Sequence, residues 1–244
     1  MALFLDGPIS SIEDLHGQDT QVRDVAHLEG IDVTRKLVEA QEEIGIDVAT
    51  MLAGVRSAGR IANVVVTPPL KLWHTYRSLE MVYHDTFNSQ LNDRYAGKRD
   101  QYHELAQRAH ERVIQSGLGM ATDPIAQAGS PTVNAAPGGL TDGIYYVAAS
   151  WTNGAGEEGA SSVPATIAVS GSSFDVQHGP APTNAKGWHV YVGRSPGGLV
   201  RQSLSVLGLG AVWLQTDLLV LGKMAGTGQA PAYMEAVPRV ILRG

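Results

Sequence analysis

The chain has 244 residues, 43% of them hydrophobic, and a formal net charge of −6. That length allows one large or two ordinary domains, and that hydrophobic content suits a packed core rather than a disordered chain. The acidic balance argues against a global basic surface for gripping phosphates, and the absence of cysteine excludes disulfides, thiolate catalysis and cysteine-rich metal sites.

No apolar run approaches the roughly 20 residues needed to span a bilayer, so no membrane partner is expected. The opening Met1-Ala2-Leu3-Phe4-Leu5-Asp6 meets an acid without a preceding basic stretch and does not read as a signal peptide. Synthesis and folding in a cytoplasm are the expectation. Composition shifts near residue 120: residues 1–120 hold 12 basic and 17 acidic side chains, residues 121–244 only 6 and 7. Two halves with such different statistics are expected to be two domains.

In chain order, Ser10-Ser11-Ile12-Glu13 offers a hydroxyl followed by a carboxylate, a capping box for a short helix near 11–16. Gly30 breaks the chain and Asp32 caps a second helix, whose apolar face is Val33, Leu37, Ala40, Ile44, Val48 and Leu52, with Gly54 as its stop. Residues 55–69 read as a connector ending in the helix-hostile pair Pro68-Pro69. From Leu70, the residues Trp73, Tyr76, Leu79, Tyr83, Phe87 and Leu91 recur every three or four positions, Gly97 interrupts, and Tyr102, Leu105, Ala109 and Val113 resume the stripe up to Gly117. This predicts two helices, or one kinked helix, over about 70–116.

Residues 121–142, rich in Gly and Pro, read as a linker and first strand region. After it the period becomes two. Strands are predicted at 144–151, 163–169, 173–177, 188–192, 200–206 and 211–215, separated by turn signals such as Asn153-Gly154. The expected fold class is α+β and multidomain: an N-terminal α-helical bundle over 1–120, then a β-sandwich over 143–237, then a tail at 238–244.

Several segments resemble the head-to-tail adaptor (connector, neck) proteins of tailed bacteriophages. They are Ser11-Ile12-Glu13-Asp14-Leu15, Glu29-Gly30-Ile31-Asp32-Val33, Leu70-Lys71-Leu72-Trp73-His74-Thr75-Tyr76 and Asn88-Ser89-Gln90-Leu91-Asn92-Asp93-Arg94-Tyr95. The second half resembles a fibronectin type III or immunoglobulin-like sandwich, through Tyr145-Tyr146-Val147, Trp151 and Ala185-Lys186-Gly187-Trp188-His189-Val190-Tyr191-Val192-Gly193. The resemblance implies a structural virion protein: a homo-oligomeric ring, usually of twelve copies, below the portal vertex and assembled in the host cytoplasm. Its partners would be the portal protein, a tail, nozzle or stopper protein, and double-stranded DNA passing without sequence preference during packaging and ejection. Many adaptors are helical only, with a C-terminal tail that enters the portal; here a sandwich is interposed.

Read for chemistry, no motif is complete. Gly193-Arg194-Ser195-Pro196-Gly197 has the spacing of a nucleophile elbow, but Pro196 has no N–H to serve an oxyanion, and the segment suits a hairpin turn. His103-Glu104 begins a zinc motif whose second histidine is replaced by Gln107. Gly208-Leu209-Gly210 and Gly226-Thr227-Gly228 lack a third glycine. No enzyme, metal or cofactor is therefore expected; a cleft joining histidines and carboxylates from separate helices would revive an enzymatic reading.

The aromatic stripe reads as core or as a subunit interface, with Trp73, Tyr76, Leu79, Tyr83, Phe87, Leu91, Tyr95 and Tyr102 as interface candidates. Arg94, Arg99 and Arg108 read either as members of solvated i,i+4 pairs or as inter-subunit ion pairs. Glu39, Glu42, Glu43 and Asp47 are candidates to face a DNA channel, where acids would repel phosphates and let the duplex slide. Arg239, Val240, Ile241, Leu242 and Arg243 are candidates for docking on the portal or another partner, against the alternative of a last strand of the sandwich. A different class of function, an adhesion or carbohydrate-binding virion module on a helical multimerisation stalk, would use Trp151, Trp188, Tyr145 and Tyr191 for sugar stacking.

Overall fold

A computed structural model describes residues 2–54, 60–90, 93–215 and 218–237 of the chain, with the side chains of residues 89 and 90 outside that description. Among the described residues, five α-helices lie in the first half and an antiparallel β region in the second. The chain forms two compact units, and both are discontinuous in sequence: one holds residues 7–121 and 231 onward, the other residues 1–6 and 122–230.

The helical unit starts with α1 (Ile12–Gln18), whose capping box runs between Ser11 and Asp14, one residue later than the spacing predicts. Helix α2 (Val22–Glu29), which the sequence reading passed over, ends in left-handed Gly30. Helix α3 (Val33–Ala53) is capped by Asp32, which accepts from the Arg35 amide at 3.1 Å, and buries the predicted face of Leu37, Ala40, Ile44, Val48 and Leu52.

Helix α4 (Pro68–Gln90) begins on the two prolines expected to precede it. At a helix start the missing N–H groups have no intrahelical partner to lose, and the fixed φ suits the first turn. Gly97 does not break the pattern either. It lies in the first turn of α5 (Ala96–Ser116), and the chain turns earlier, through a 3₁₀ turn at Asp93–Tyr95.

The helical unit is completed by two short strands from distant parts of the chain. Strand β1 (Leu118–Met120) pairs antiparallel with β9 (Tyr233–Glu235), in the register Leu118↔Glu235, Gly119↔Met234 and Met120↔Tyr233. Val64 bridges to Met120 on the other side of β1. Residues 118–120, read as the end of the helical bundle, thus form a strand, and residues 231–237 belong to the helical unit, where the sequence reading placed them in the sandwich.

Gly117 makes this junction possible. Its φ of +82° is left-handed, and an added Cβ would lie 2.5 Å from the Glu235 carbonyl oxygen. A Gly117→Ala chain is expected to lose about 2 kcal/mol of stability in the helical unit, read as a lower urea midpoint for the loss of helical circular dichroism.

The β unit has two sheets. The order β2-β5-β8 joins Thr132–Ala136, Ser173–Gln177 and Trp213–Gln215; the order β4-β3-β6-β7 joins Ala165–Val169, Gly143–Thr152, Gly187–Gly193 and Val200–Arg201. One core serves both: Tyr145, Val147 and Trp151 of β3, Phe174 and Val176 of β5, and Trp188, Val190 and Val192 of β6. Alternation puts every second residue of a strand on the same face, which is why these positions run in steps of two. Strand β2 lies inside the segment read as a linker and first strand region.

The ends of the β unit are held by a satisfied polar knot. Gln229 accepts from the Ile125 amide at 2.7 Å and donates to the Asp123 carbonyl at 3.0 Å and to Glu157 at 2.9 Å. The N-terminal segment is seated there too: Leu3 and Phe4 are buried, and Asp6 accepts from the Gln127 amide at 2.8 Å.

Candidate functional site

The aromatic stripe, read as core or as a subunit interface, is for the most part packed inside one chain. Trp73, Leu79, Tyr83, Tyr95 and Tyr102 are buried. Tyr83 stacks on Tyr102 with ring centroids 5.6 Å apart and lies 6.2 Å from Tyr95; Trp73 packs on His110 at 4.5 Å. The partners come from the chain's own α1, α2, α3 and α5, with Leu15, Val22, Val25 and Leu37 in the same cluster. At these positions the core alternative is the one the structure shows: aromatic rings bury a large apolar area each, and these find their partners within the same chain. Tyr76 and Phe87 remain half-buried. Tyr76 donates to Gln18 at 3.2 Å, and Arg99 lies over Phe87 at 4.4 Å. Leu91 lies outside the described residues.

At the centre of the cluster sits buried Asp19. It accepts from Tyr83 at 2.7 Å, Tyr102 at 3.0 Å, Lys98 at 2.7 Å and the Gln21 amide at 3.0 Å. Burial alone would raise its carboxyl, but the Lys98 ammonium and these donors outweigh burial and hold it below the usual carboxylate range. Burial and the same carboxylate push both tyrosine hydroxyls upward.

The candidate cations of the 3₁₀ turn and α5 are also engaged locally. Arg94 lies over Tyr95, Arg99 pairs with Asp100 at 2.8 Å, and exposed Arg108 pairs with Glu104 at 3.1 Å in an i,i+4 arrangement. Of the acids on α3, Glu39 is bridged to Arg35 and Lys36, which hold its carboxyl below the ordinary range, and Glu43 is bridged to Arg77. Glu42 and Asp47 are exposed.

A small cleft of about 140 Å³ opens between α3, α4 and α5, lined among others by Glu43, Asp47, Arg77, Glu80, His103 and His110. It joins histidines and carboxylates from separate helices, the feature an enzymatic reading asks for. Apart from exposed Asp47, the groups named are engaged with one another or with a neighbouring ring. Arg77 clamps Glu43 and, at 2.7 Å, Glu80. Gln107 approaches His103 Nε2 at 2.8 Å through its amide nitrogen, which only donates, so Nε2 accepts and Nδ1–H donates to Glu80 at 2.8 Å. Both ring nitrogens of His103 are therefore occupied, and His110 is stacked on Trp73. The volume is below the roughly 300 Å³ at which small-molecule pockets begin.

In the β unit, Trp151, Trp188, Tyr145 and Tyr191 are buried, which removes the stacking platform that a sugar-binding reading requires. Ser195 sits in the exposed turn between β6 and β7. A serine–histidine pair occurs elsewhere, Ser203 Oγ 3.0 Å from His189 Nδ1, but both residues are buried and Ser203 also accepts from the Val190 amide. Burial pushes the His189 imidazole below its ordinary range. Among the described residues, no group of three or more His, Asp or Glu side chains is placed to hold a metal ion, and no helix is long and apolar enough to cross a membrane.

What sequence reasoning missed is the exposure of apolar side chains late in the β unit. Among the described residues, nine large apolar side chains between Leu204 and Met224 are exposed, beginning with Leu204 at 93% and including Leu221 at 102%. Residues 202–222 contain a single charged residue, Asp217, and the strands predicted at 200–206 and 211–215 fall largely within that stretch. The tail candidates Arg239, Val240, Ile241, Leu242 and Arg243 lie outside the described residues. No protein-family model matches the chain, and no curated protein matches it in sequence.

Proposed function

We propose that this chain is a structural head-to-tail adaptor of a tailed bacteriophage, assembled as a ring, with twelve copies expected, between the portal and a tail, nozzle or stopper protein. The observation that carries the reading is the return of β9 to the helical unit. A helical body followed by its own C-terminal segment is the plan of the adaptors this sequence resembles, and β9 restores that plan despite the interposed β unit. Residues 238–244 then follow directly from the helical unit and are the segment offered to the portal.

The β unit reads as an immunoglobulin- or fibronectin-type sandwich inserted into that plan. Its order β4-β3-β6-β7 corresponds to C′-C-F-G of a variable-type sandwich, with buried Trp151 on the strand equivalent to C. Strand β8 beside β5 is its own variation. The engaged chemistry of the helical cleft fits a part whose work is mechanical. In the ring, Glu42 and Asp47 are the α3 acids left to face DNA, since Glu39 and Glu43 are neutralised by cations of their own chain.

The test is the mass of the purified chain alone and mixed with portal protein, with averaged electron-microscope images of the product. A closed annulus that binds portal through the helical unit, and loses portal when residues 238–244 are removed, is the expected result. A chain that never engages portal ends this reading.

A further inference from the structure

We propose that His74 is an acid-sensitive joint between α3 and α4: neutral, it ties the two helices together, and protonated, it parts them. The ring is fully buried, and its Nε2 lies 3.0 Å from the Leu37 carbonyl of α3. A carbonyl only accepts, so Nε2 carries the proton and Nδ1 is left bare. Nδ1 is buried and meets no hydrogen-bond partner. One edge of the ring is a tie between helices, and the other is an unmet polar atom in the core.

Packing alone does not ask for such a group. A phenyl ring would fill much the same space with no atom unmet, whereas a buried polar atom without a partner lowers stability. The bare nitrogen does have a consequence in acid, because the arriving proton goes to the one free lone pair on the ring. It makes an N–H that finds no acceptor where Nδ1 found no donor, and it puts a full charge where water does not reach.

The surrounding charges do not rescue that cation. Burial holds the imidazole below its ordinary value of 6.5; the Leu37 bond and the Asp14 carboxylate act against burial, and the Lys71 ammonium acts with it. Asp14 of α1 and Lys71 of α4 are paired with each other at 2.7 Å, so their influences on the ring largely offset. On α3, Lys36 is bridged to Glu39 and to Asp85 of α4, and Glu43 to Arg77 of α4. On α5, His103 is bound to Glu80 and His110 lies on Trp73.

The direction of the response follows. The folded ring takes up a proton less readily than the unfolded one, so the tie is whole above about pH 6.5 and weakens as pH falls from there toward the folded value. Within that window one proton separates the unfolded from the folded chain, and the unfolding constant of the helical unit rises by up to about tenfold per pH unit. The inference stands on these residues alone and holds whether or not the chain works in a virion neck.

The test uses the full chain and two variants: His74→Gln, whose amide can donate to the Leu37 carbonyl but does not titrate, and His74→Phe, which keeps a ring and drops both nitrogens. Urea unfolding is followed by circular dichroism at 222 nm from pH 7.5 to pH 5. Of the eight histidines, all but His74 are common to the three chains, so the difference between wild type and variant isolates it. As pH falls, the unfolding constant of the wild type is expected to climb relative to each variant, by about tenfold over the window. Hydrogen exchange in α3, corrected for the intrinsic effect of pH, is expected to quicken in the wild type alone. Nitrogen NMR shifts of the wild-type ring give a reading that needs no variant: His74 is expected as the Nε2–H tautomer, still neutral in the folded chain at about pH 6.5, where an ordinary imidazole is half protonated. If either variant fails to fold, the other variant and the wild-type shifts decide. Parallel pH profiles for wild type and variants, a folded His74 that protonates near pH 6.5, or α3 exchange indifferent to acid would each overturn the proposal.

Discussion

A chain lacking residues 1–6, with residues 122–230 replaced by a turn of about four residues containing Asn-Gly, is expected to fold its helical unit and unfold it in one cooperative transition. The reason is the β1–β9 register. Met120 faces Tyr233, and the Ala232 amide donates to the Met120 carbonyl at 2.8 Å, so the cut ends lie side by side and a tight turn joins them as a hairpin. The converse truncation, ending the chain at residue 230, is expected to do much worse. It strips β1 of its partner and leaves Leu118 and Met120, both buried, beside buried Val64 and Val65 with one wall missing. Losing that wall costs about 3 kcal/mol or more, at roughly 1–2 kcal/mol for each large apolar side chain uncovered. Circular dichroism at 222 nm against temperature separates the two outcomes. If the excised chain is molten and the truncated one is not, the helical unit is not the self-contained body described here.

Asp19→Asn is expected to be the most damaging single conservative change in the helical unit, at about 3 kcal/mol. It removes a buried charge that four donors converge on and leaves Lys98 facing a neutral amide. The figure sits at the lower end for broken buried ion pairs because Lys98 is 38% exposed and recovers part of its hydration. The pH dependence has a definite sign. The folded carboxyl titrates below the unfolded value of about 4, so its contribution is complete above that pH and fades as pH falls through the lower, folded pKa. The gap between the urea midpoints of wild type and variant should therefore be widest at neutral pH and narrow below pH 4. A gap that stays constant into acid would mean that packing, not charge, is what the substitution damages.

The helices with a full apolar stripe were legible from spacing alone. The face of α3 is buried as predicted, and Asp32 caps it, because a 21-residue helix packed on one side writes its period into every turn. Short α2 was passed over because eight residues hold barely two repeats. The prolines at the start of α4 misled because a residue hostile to a helix interior is welcome in its first turn. Strands β5 and β6 were placed to within a residue, whereas β1 and β9 are three residues each and exist through each other, more than a hundred positions apart. No local pattern encodes such a pair. The aromatic stripe was visible as a stripe, but period does not say whether rings meet their own chain or a neighbour. The Asp19 cluster shows which it was, since its donors come from α4 and α5 and close the stripe from within. The exposure of apolar residues between Leu204 and Met224 was hidden for the opposite reason: several lie in segments predicted as strands, and only the fold shows them facing water.

The interleaving of the two units changes what a single break in the backbone does. Severing the peptide after Ala121 does not yield a helical product and a β product that drift apart. The fragment ending at Ala121 keeps Leu3 and Phe4 seated in the β unit, and the fragment beginning at Thr122 keeps β9 stitched to β1. Each piece holds the other by an arm, so a protein nicked there stays joined until one of those arms melts.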